Sequence, residues 1–408
     1  MLAPPIAEAE AGTRVLYYSH DSYGLGHLRR TLALAHRVRE RLPDAAQLIV
    51  SGAAHTDGWR LPAGADWVKL PSVVKTAAGE YRSRSLECAF ATTHGLRQDL
   101  VLTAVRHFQP DVVVVDHVPG GLHGEALPAL RHAAAMGSRL VLGLRDVIDD
   151  ATLVQRDWRR AGNHALLDGL YDAVVVYGDR AVYDVVREYG LSPVAATKTT
   201  FVGYLRAPEP ASREAIRARL GLGDERLVVV TAGGGGDGAM LVGAALDAFA
   251  DGPPAGVRAL VVAGPLMAPD ERAELERRAR RCGERVRLVD AVAELGDVLA
   301  VSDAVVSMGG YNTVREILSH RRPALIVPRV RPRLEQLVRA EALAARGLVR
   351  VLHPAELTAG RLRAEVDRLL REPPRPAAPP RLDGLDRFVD VLEDMTAAAP
   401  CEELLAPA

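Results

Sequence analysis

Residues 303–336, DAVVSMGGYNTVREILSHRRPALIVPRVRPRLEQ, decide how the rest of the chain is read. Ala304 to Ser307 is a short apolar run of the kind buried in parallel sheets. Gly309 and Gly310 follow at its carboxyl end. Asn312-Thr313 has N-cap chemistry, and Val314, Ile317 and Leu318 then recur at helical spacing. Ala324 to Val327 is a second buried strand, ended by Pro328 and followed by a basic loop with Arg329, Arg331 and Arg333. Glycines let a backbone approach a ligand, and a helix N-terminus offers free N–H groups and the positive end of a dipole. Strand, glycines and helix start together suit an anion such as a diphosphate. Glu316 is expected on the first turn, where a carboxylate can hold two sugar hydroxyls. Thr313-x-x-Glu316 equally fits a plain capping box.

Outward from this stretch, strand and helix alternate. Strands are expected at Arg14–Ser19, Gln47–Ser51, Asp66–Leu70, Val112–Asp116, Leu140–Leu144, Ala173–Tyr177 and Thr199–Val202, with a long helix over Ser85–Phe108. After the break at Ala207-Pro208-Glu209-Pro210, strands follow at Leu227–Thr231, Val257–Ala263, Val286–Val289, Ala304–Ser307, Ala324–Val327 and Val349–Leu352. The fold class is α/β: two doubly wound, Rossmann-like domains, 13–206 and 207–371, facing a cleft. Residues 372–408 form a Pro-rich linker, a short amphipathic helix suited to packing back onto the first domain, and a tail. Ligands in such sheets lie beyond the carboxyl ends of the strands, where both glycine loops, 24–26 and 233–238, fall.

Composition narrows the function. The chain has 408 residues and a net charge of −1, so no global field draws it to nucleic acid. Aromatics at 4 % are too few for a base-stacking platform. Cys88, Cys282 and Cys401 have neither disulfide nor zinc spacing. No apolar run reaches membrane-spanning length, and the acidic start lacks the features of a signal peptide, so a cytoplasmic protein is expected. Gly233-x-Gly235-x-x-Gly238 fits the dinucleotide fingerprint, but the next strand ends Ala263-Gly264-Pro265 without the acid that would hold a nicotinamide ribose. The lysine of a P-loop is missing too. What remains is a glycine-lined phosphate site neutralised by N–H groups, a helix dipole and arginines, with no metal motif and no cofactor. Asp237 is expected to cap the following helix or to point away.

At Gly24-x-Gly26-His27, at the Gly234–Gly238 loop, and at Gly310-Tyr-Asn-Thr-Val-Arg-Glu316 with Pro328 and Glu335-Gln336, the chain resembles the GT-B glycosyltransferases, most closely family 28. The resemblance covers most of residues 14 to about 355 and implies transfer of a sugar from a nucleoside diphosphate donor, typically a UDP-sugar, to an acceptor hydroxyl, inverting and independent of metal. It implies that Gly235 and Gly236 touch the diphosphate, that Tyr311, Asn312 and Thr313 supply helix N-terminal donors, and that Gly310 lets the ligand approach. It also implies that Glu316 holds the ribose, that Val292 faces the base, and that Glu335 and Gln336 read the donor sugar. The family member acting on a lipid-linked peptidoglycan precursor has Gln at both of the last two positions, so Glu335 is a departure.

His27 falls on the family's Gly-His position, and a free imidazole titrates in the range needed to take an acceptor's proton. A helix-capping role is the plainer alternative. Asp116 is expected either to orient that histidine or to act as the base. Gly24, Gly26, His20, Arg145 and Asp146 are expected on the acceptor side, and Arg206 is a candidate to reach the diphosphate from before the linker. The acceptor is unidentified; a lipid-linked one with peripheral membrane contact is open, through Val73-Val74 with Lys75 or through Leu96 to Leu102. A nucleotide-sugar 2-epimerase-like isomerase and a non-catalytic nucleotide-sugar-binding protein are the alternatives.

Overall fold

The protein is described from a computed structural model covering residues 12–20, 26–54, 59–76, 80–210 and 212–397. Among the described residues nine strands precede the linker: β1 (Arg14–Ser19), β2 (Ala46–Ser51), β3 (Ala65–Lys69), β4 (Val73–Lys75), β5 (Tyr81–Ser83), β6 (Val112–Asp116), β7 (Arg139–Arg145), β8 (Ala173–Tyr177) and β9 (Thr199–Phe201). Seven form one sheet in the order β3-β2-β1-β6-β7-β8-β9, with every pair parallel. Six more form the rear sheet: β10 (Arg226–Thr231), β11 (Val257–Val262), β12 (Val286–Val289), β13 (Ala304–Ser307), β14 (Ala324–Ile326) and β15 (Arg350–Val351). Their order is β12-β11-β10-β13-β14-β15, again parallel throughout. Val-rich strands such as VVVVD at β6 are buried on both faces, as parallel strands covered by helices must be.

Strand order reverses between β1 and β6 in the front sheet and between β10 and β13 in the rear one. These are the two switch points at which α/β sheets open a crevice. Tyr18 pairs with Val115, so the residues after β1 and after β6 emerge side by side. Thr231 pairs with Ser307 in the rear sheet, which brings the 233–238 loop beside Gly309.

The helix Tyr311–Ser319 is buried nearly all round, Arg315 and Glu316 included. Its polar residues are not a solvent face, because the front lobe covers them. One continuous core runs through both lobes and contains Tyr177 and Tyr204 from the front with Tyr311 and Val314 from the rear. The last helix, Gly384–Ala397, lies on the front lobe along the helix Gly26–Arg41. It buries Phe388, Val389 and Leu392 there, and Arg41 reaches Asp390 at 3.1 Å and Glu393 at 2.7 Å.

Two local expectations change. The long helix begins at Phe90, not Ser85. Before it, Arg84 N–H donates to Ser72 O and Ser83 Oγ meets the Thr93 hydroxyl, so the segment is held by an antiparallel β4–β5 hairpin that short irregular strands concealed. Val73 is fully buried and contributes nothing to a surface patch.

Candidate active site

The front wall of the crevice is built on the start of the helix Gly26–Arg41 and the end of β6. His27 Nδ1 lies 2.5 Å from Asp116 Oδ2. One turn on, Arg30 grips the same carboxylate with both arms of its guanidinium, Nε to Oδ1 at 2.8 Å and Nη2 to Oδ2 at 2.7 Å. Burial alone would push the Asp116 carboxyl up, but Arg30 and His27 outweigh it and hold it well below the usual carboxylate range. Asp116 therefore stays ionised, a poor proton acceptor whose oxygens accept from Arg30 and His27, an arrangement suited to orienting the imidazole. An Nδ1–H donated to Asp116 leaves Nε2 as the acceptor nitrogen. No described residue hydrogen-bonds Nε2, and the side chain keeps 18 % exposure.

His20 and His117 flank this imidazole, with ring centroids 5.2 and 5.6 Å from it. Burial, reinforced by His27, pushes His20 down to about 3. Burial and then Arg145 push His117 well below its ordinary value. Both are neutral walls of the site. Gly24 lies outside the described residues. Gly26 touches the other lobe, its carbonyl accepting from Asn312 Nδ2 at 3.4 Å.

The rear wall is the run from Gly309. The helix cap is Gly310, with no side-chain cap bond, so Asn312 and Thr313 sit inside the first turn and the capping box does not form. The first intrahelical bond runs from Val314 N–H to Gly310 O, which leaves the N–H groups of Tyr311, Asn312 and Thr313 without helical partners. A Cβ on Gly310 would meet nothing within 4 Å, so the space before the helix is open. Tyr311 itself is buried between the guanidinium groups of Arg30 and Arg339, 5.6 and 5.9 Å from its ring centre. Glu316 falls one turn later than the sequence reading put it. Its Oε1 accepts from Arg29 at 3.2 Å, its Oε2 has no partner, and burial raises its carboxyl.

The 233–238 loop is held against the next strand end. Gly235 has φ +91°, and a Cβ there would sit 2.5 Å from Ala263 O. Leu266 N–H donates to Gly234 O at 2.8 Å. Gly264, which as a missing acid spoke against a dehydrogenase, is the buttress of this loop. Gly236 is exposed at its tip. Asp237 does not cap the following helix; it pairs with Arg329 at 2.8 Å.

Arg329 continues to Glu335 Oε1 at 3.0 Å, and its own N–H donates to Gln336 Oε1 at 2.9 Å. Arg145 reaches Glu335 Oε2 from the front lobe at 3.1 Å. Val292 is half-buried against the core. In the helix that follows its loop, a Cβ on Gly296 would lie 3.8 Å from Glu316 Cδ.

Two expected residues are elsewhere. Asp146 is not open to the crevice: it is 1 % exposed and held by Arg339 at 2.9 Å, a buried ion pair between the lobes, because its carboxylate is taken up by that guanidinium. Arg206 is exposed and takes no part in this network. The sequence reading missed Arg29, Arg30 and Arg339; only Arg30, one helical turn beyond His27, carried a signal in its spacing.

Buried polar atoms without partners collect in this crevice: His20 Nδ1, His117 Nδ1, Arg145 Nε, Asn312 Oδ1, Glu316 Oε2 and Arg329 Nε. Such groups are rare in folded proteins, and a cluster of them is an arrangement that a polar ligand would complete.

Comparison with known proteins agrees with this architecture. Residues 266–395 match the glycosyltransferase family 28 C-terminal domain. The UDP-N-acetylglucosamine–N-acetylmuramyl-(pentapeptide) pyrophosphoryl-undecaprenol N-acetylglucosamine transferase of Leuconostoc citreum is 23 % identical over 351 residues, 85 % of this chain and 87 % of that one. The enzyme of the same name from Geobacillus thermodenitrificans is 32 % identical over 115 residues, 28 % of this chain; the match spans only 29 % of that enzyme's length. Among solved structures, the calicheamicin glycosyltransferase CalG4 superposes with a TM-score of 0.62 at 18 % identity, covering 95 % of this chain and all 100 % of that one. A putative UDP-N-acetylglucosamine 2-epimerase from Listeria monocytogenes gives 0.64 at 13 % identity, covering 96 % and 98 %, and shares the fold alone.

Proposed function

We infer that this chain, a GT-B glycosyltransferase carrying a family 28 C-terminal domain, moves a sugar from a nucleoside diphosphate donor, a UDP-sugar by its resemblance, onto an acceptor hydroxyl with inversion. The observation that carries the reading is the meeting of the two switch points: the open helix start at Gly310 stands against Gly26, next to a histidine already oriented by an aspartate.

The chemistry follows from the walls of the crevice. The acceptor hydroxyl gives its proton to His27 Nε2 as its oxygen bonds to the anomeric carbon. The bond from that carbon to the diphosphate oxygen breaks, and its electron pair leaves with the diphosphate. Asp116 stabilises the imidazolium that forms. The N–H groups of Tyr311 to Thr313 and of the loop around Gly235 and Gly236 receive the negative charge, preorganised where it develops. Glu316 Oε2 is free to take a ribose hydroxyl, and Glu335 with Gln336 faces the donor sugar. Fixed N–H groups at an open helix start can receive a leaving diphosphate without a cation, so EDTA is expected to leave turnover intact. Loss of activity restored by a divalent ion would overturn that point.

The relatives' lipid-linked acceptor supports an acceptor of that class. Among the described residues no helix is long and apolar enough to cross a membrane. Leu86 and Leu96, 46 % and 45 % exposed near the start of the helix Phe90–Phe108, support contact with an apolar acceptor or the inner membrane face; co-sedimentation with vesicles checks it.

The deciding experiment incubates purified protein with UDP-hexoses, with and without lipid and sugar alcohols, and follows UDP release and product by mass spectrometry. A new glycoside with release of UDP is expected, and its loss in His27→Ala. An epimer formed from the donor alone would favour the isomerase reading; UDP binding without turnover would favour a binding protein.

A further inference from the structure

Glu335 is held from both lobes at once. Arg145, the last residue of β7, donates Nη2 to Oε2 at 3.1 Å, and Arg329 donates Nη2 to Oε1 at 3.0 Å. The acidic group beside Arg145 on its own lobe, Asp146, is already spent on Arg339. Among the described residues its other polar partner is His117, with Nε2 at 3.3 Å, and its Nε is buried without a partner. The Arg145 and Glu335 side chains are 16 % and 13 % exposed, so the pair is partly desolvated, and its geometry counts for more than that of a surface pair.

An ionised carboxylate offers about four lone-pair directions and only accepts. The two arginines take one on each oxygen and leave one on each oxygen. Two fixed acceptors side by side match two adjacent hydroxyls. They repel a sugar that presents a carboxylate there and leave a blocked hydroxyl unpaired.

We propose that Arg145 is a positioning residue for the donor sugar: it reaches across the crevice to hold the Glu335 carboxylate, so that its open lone pairs read two adjacent free hydroxyls of a neutral hexose. The inference rests on the donor reading above. Arg145 thereby moves from the acceptor side of the crevice to the donor side, and sugar recognition depends on the two lobes being together.

The test is calorimetry on the whole chain with UDP, UDP-glucose, UDP-galactose, UDP-N-acetylglucosamine and UDP-glucuronate, and with dTDP and dTDP-glucose. The quantity read is the gain in affinity of the sugar nucleotide over its bare nucleotide. A neutral hexose should show a gain and the uronate none. Arg145→Ala should cut the gain about tenfold, the worth of a charge-assisted contact, and leave nucleotide affinity within about twofold. Arg145→Lys should restore part of it. Adding Arg145→Ala to Glu335→Gln should cost nothing further, since Arg145 acts through that carboxylate. The proposal is overturned if Arg145→Ala keeps the full gain, if it weakens UDP as much as the sugar nucleotide, or if no sugar improves on bare nucleotide. Melting of each variant without ligand separates misfolding from these outcomes, and the lysine variant carries the test if the alanine variant does not fold. Absence of binding by every nucleotide to the wild-type chain would instead sink the donor reading itself.

Discussion

Asp116 has two suitors and satisfies both. Arg30 neutralises it and His27 completes it, so removing either partner has a different consequence. His27→Ala removes the proposed base and should lower turnover by about 10²–10⁴-fold with the fold kept, measured as UDP release at saturating donor. Asp116→Asn should be worse in both respects: it leaves Arg30 buried without its counter-charge, at a cost of about 3–5 kcal/mol in urea unfolding. His20 makes a separate prediction about pH. The folded chain protonates it only near 3, against an ordinary value of 6.5. Between those values the unfolded state holds the extra proton, so stability is full above about 6.5 and falls as pH drops, by at most about 1.4 kcal/mol per unit. Urea midpoints at pH 7.5 and 5 should converge in His20→Gln relative to wild type; an unchanged gap would show that His20 does not titrate this way. At this scale the sequence made His27 and Asp116 legible, because strand ends and a Gly-His step announce them. Arg29 was not, since an arginine on an amphipathic helix reads as solvent-facing until the opposite lobe brings Glu316 to it; Arg30 was signalled only by its place one turn beyond His27.

Among the elements, the two glycine turns look alike in sequence and differ in kind. Gly235 is required by the backbone: its φ is +91° and its Cβ direction ends at a carbonyl 2.5 Å away. Gly235→Ala should therefore destabilise the rear lobe by about 1–3 kcal/mol, seen as a lower melting temperature before any ligand is added. Gly310 has φ −60° and open space in front of it, so Gly310→Ala should fold with a loss of about 1 kcal/mol or less. Its added methyl group enters the mouth of the helix where the diphosphate is proposed to sit, and UDP affinity should fall. Equal UDP affinity in Gly310→Ala and wild type would move the phosphate site elsewhere. Strand identity was legible here because Val-rich runs between helices have few other homes, and the GT-B architecture followed. Helix starts were not. Asn312-Thr313 has better capping chemistry than Gly310, yet tertiary contact draws Asn312 to Gly26 and starts the helix earlier. The β4–β5 hairpin stayed hidden because three-residue strands leave no period to read.

For the whole molecule, the lobes are joined by charges as well as by apolar side chains. Arg339 and Asp146 are each 1 % exposed, on opposite lobes, with Tyr204 OH also donating to Asp146 at 3.1 Å. A buried pair of this kind adds little net stability, because desolvation consumes most of its attraction, but breaking one side is costly. Arg339→Met should thus cost about 3–5 kcal/mol by leaving Asp146 buried and unpaired. The double change Arg339→Met with Asp146→Leu should recover most of that loss, because no uncompensated charge remains. The pair also fixes how the front sheet faces the rear one, and an apolar contact does not specify an angle as two parallel hydrogen bonds do. The double variant is therefore expected to melt near the wild-type temperature yet bind sugar nucleotide more weakly than bare UDP would predict, since Arg145 no longer meets Glu335 in register. If instead the double variant melts as low as Arg339→Met alone, the pair contributes packing rather than charge, and the lobes owe their alignment to the shared core around Tyr204 and Tyr311.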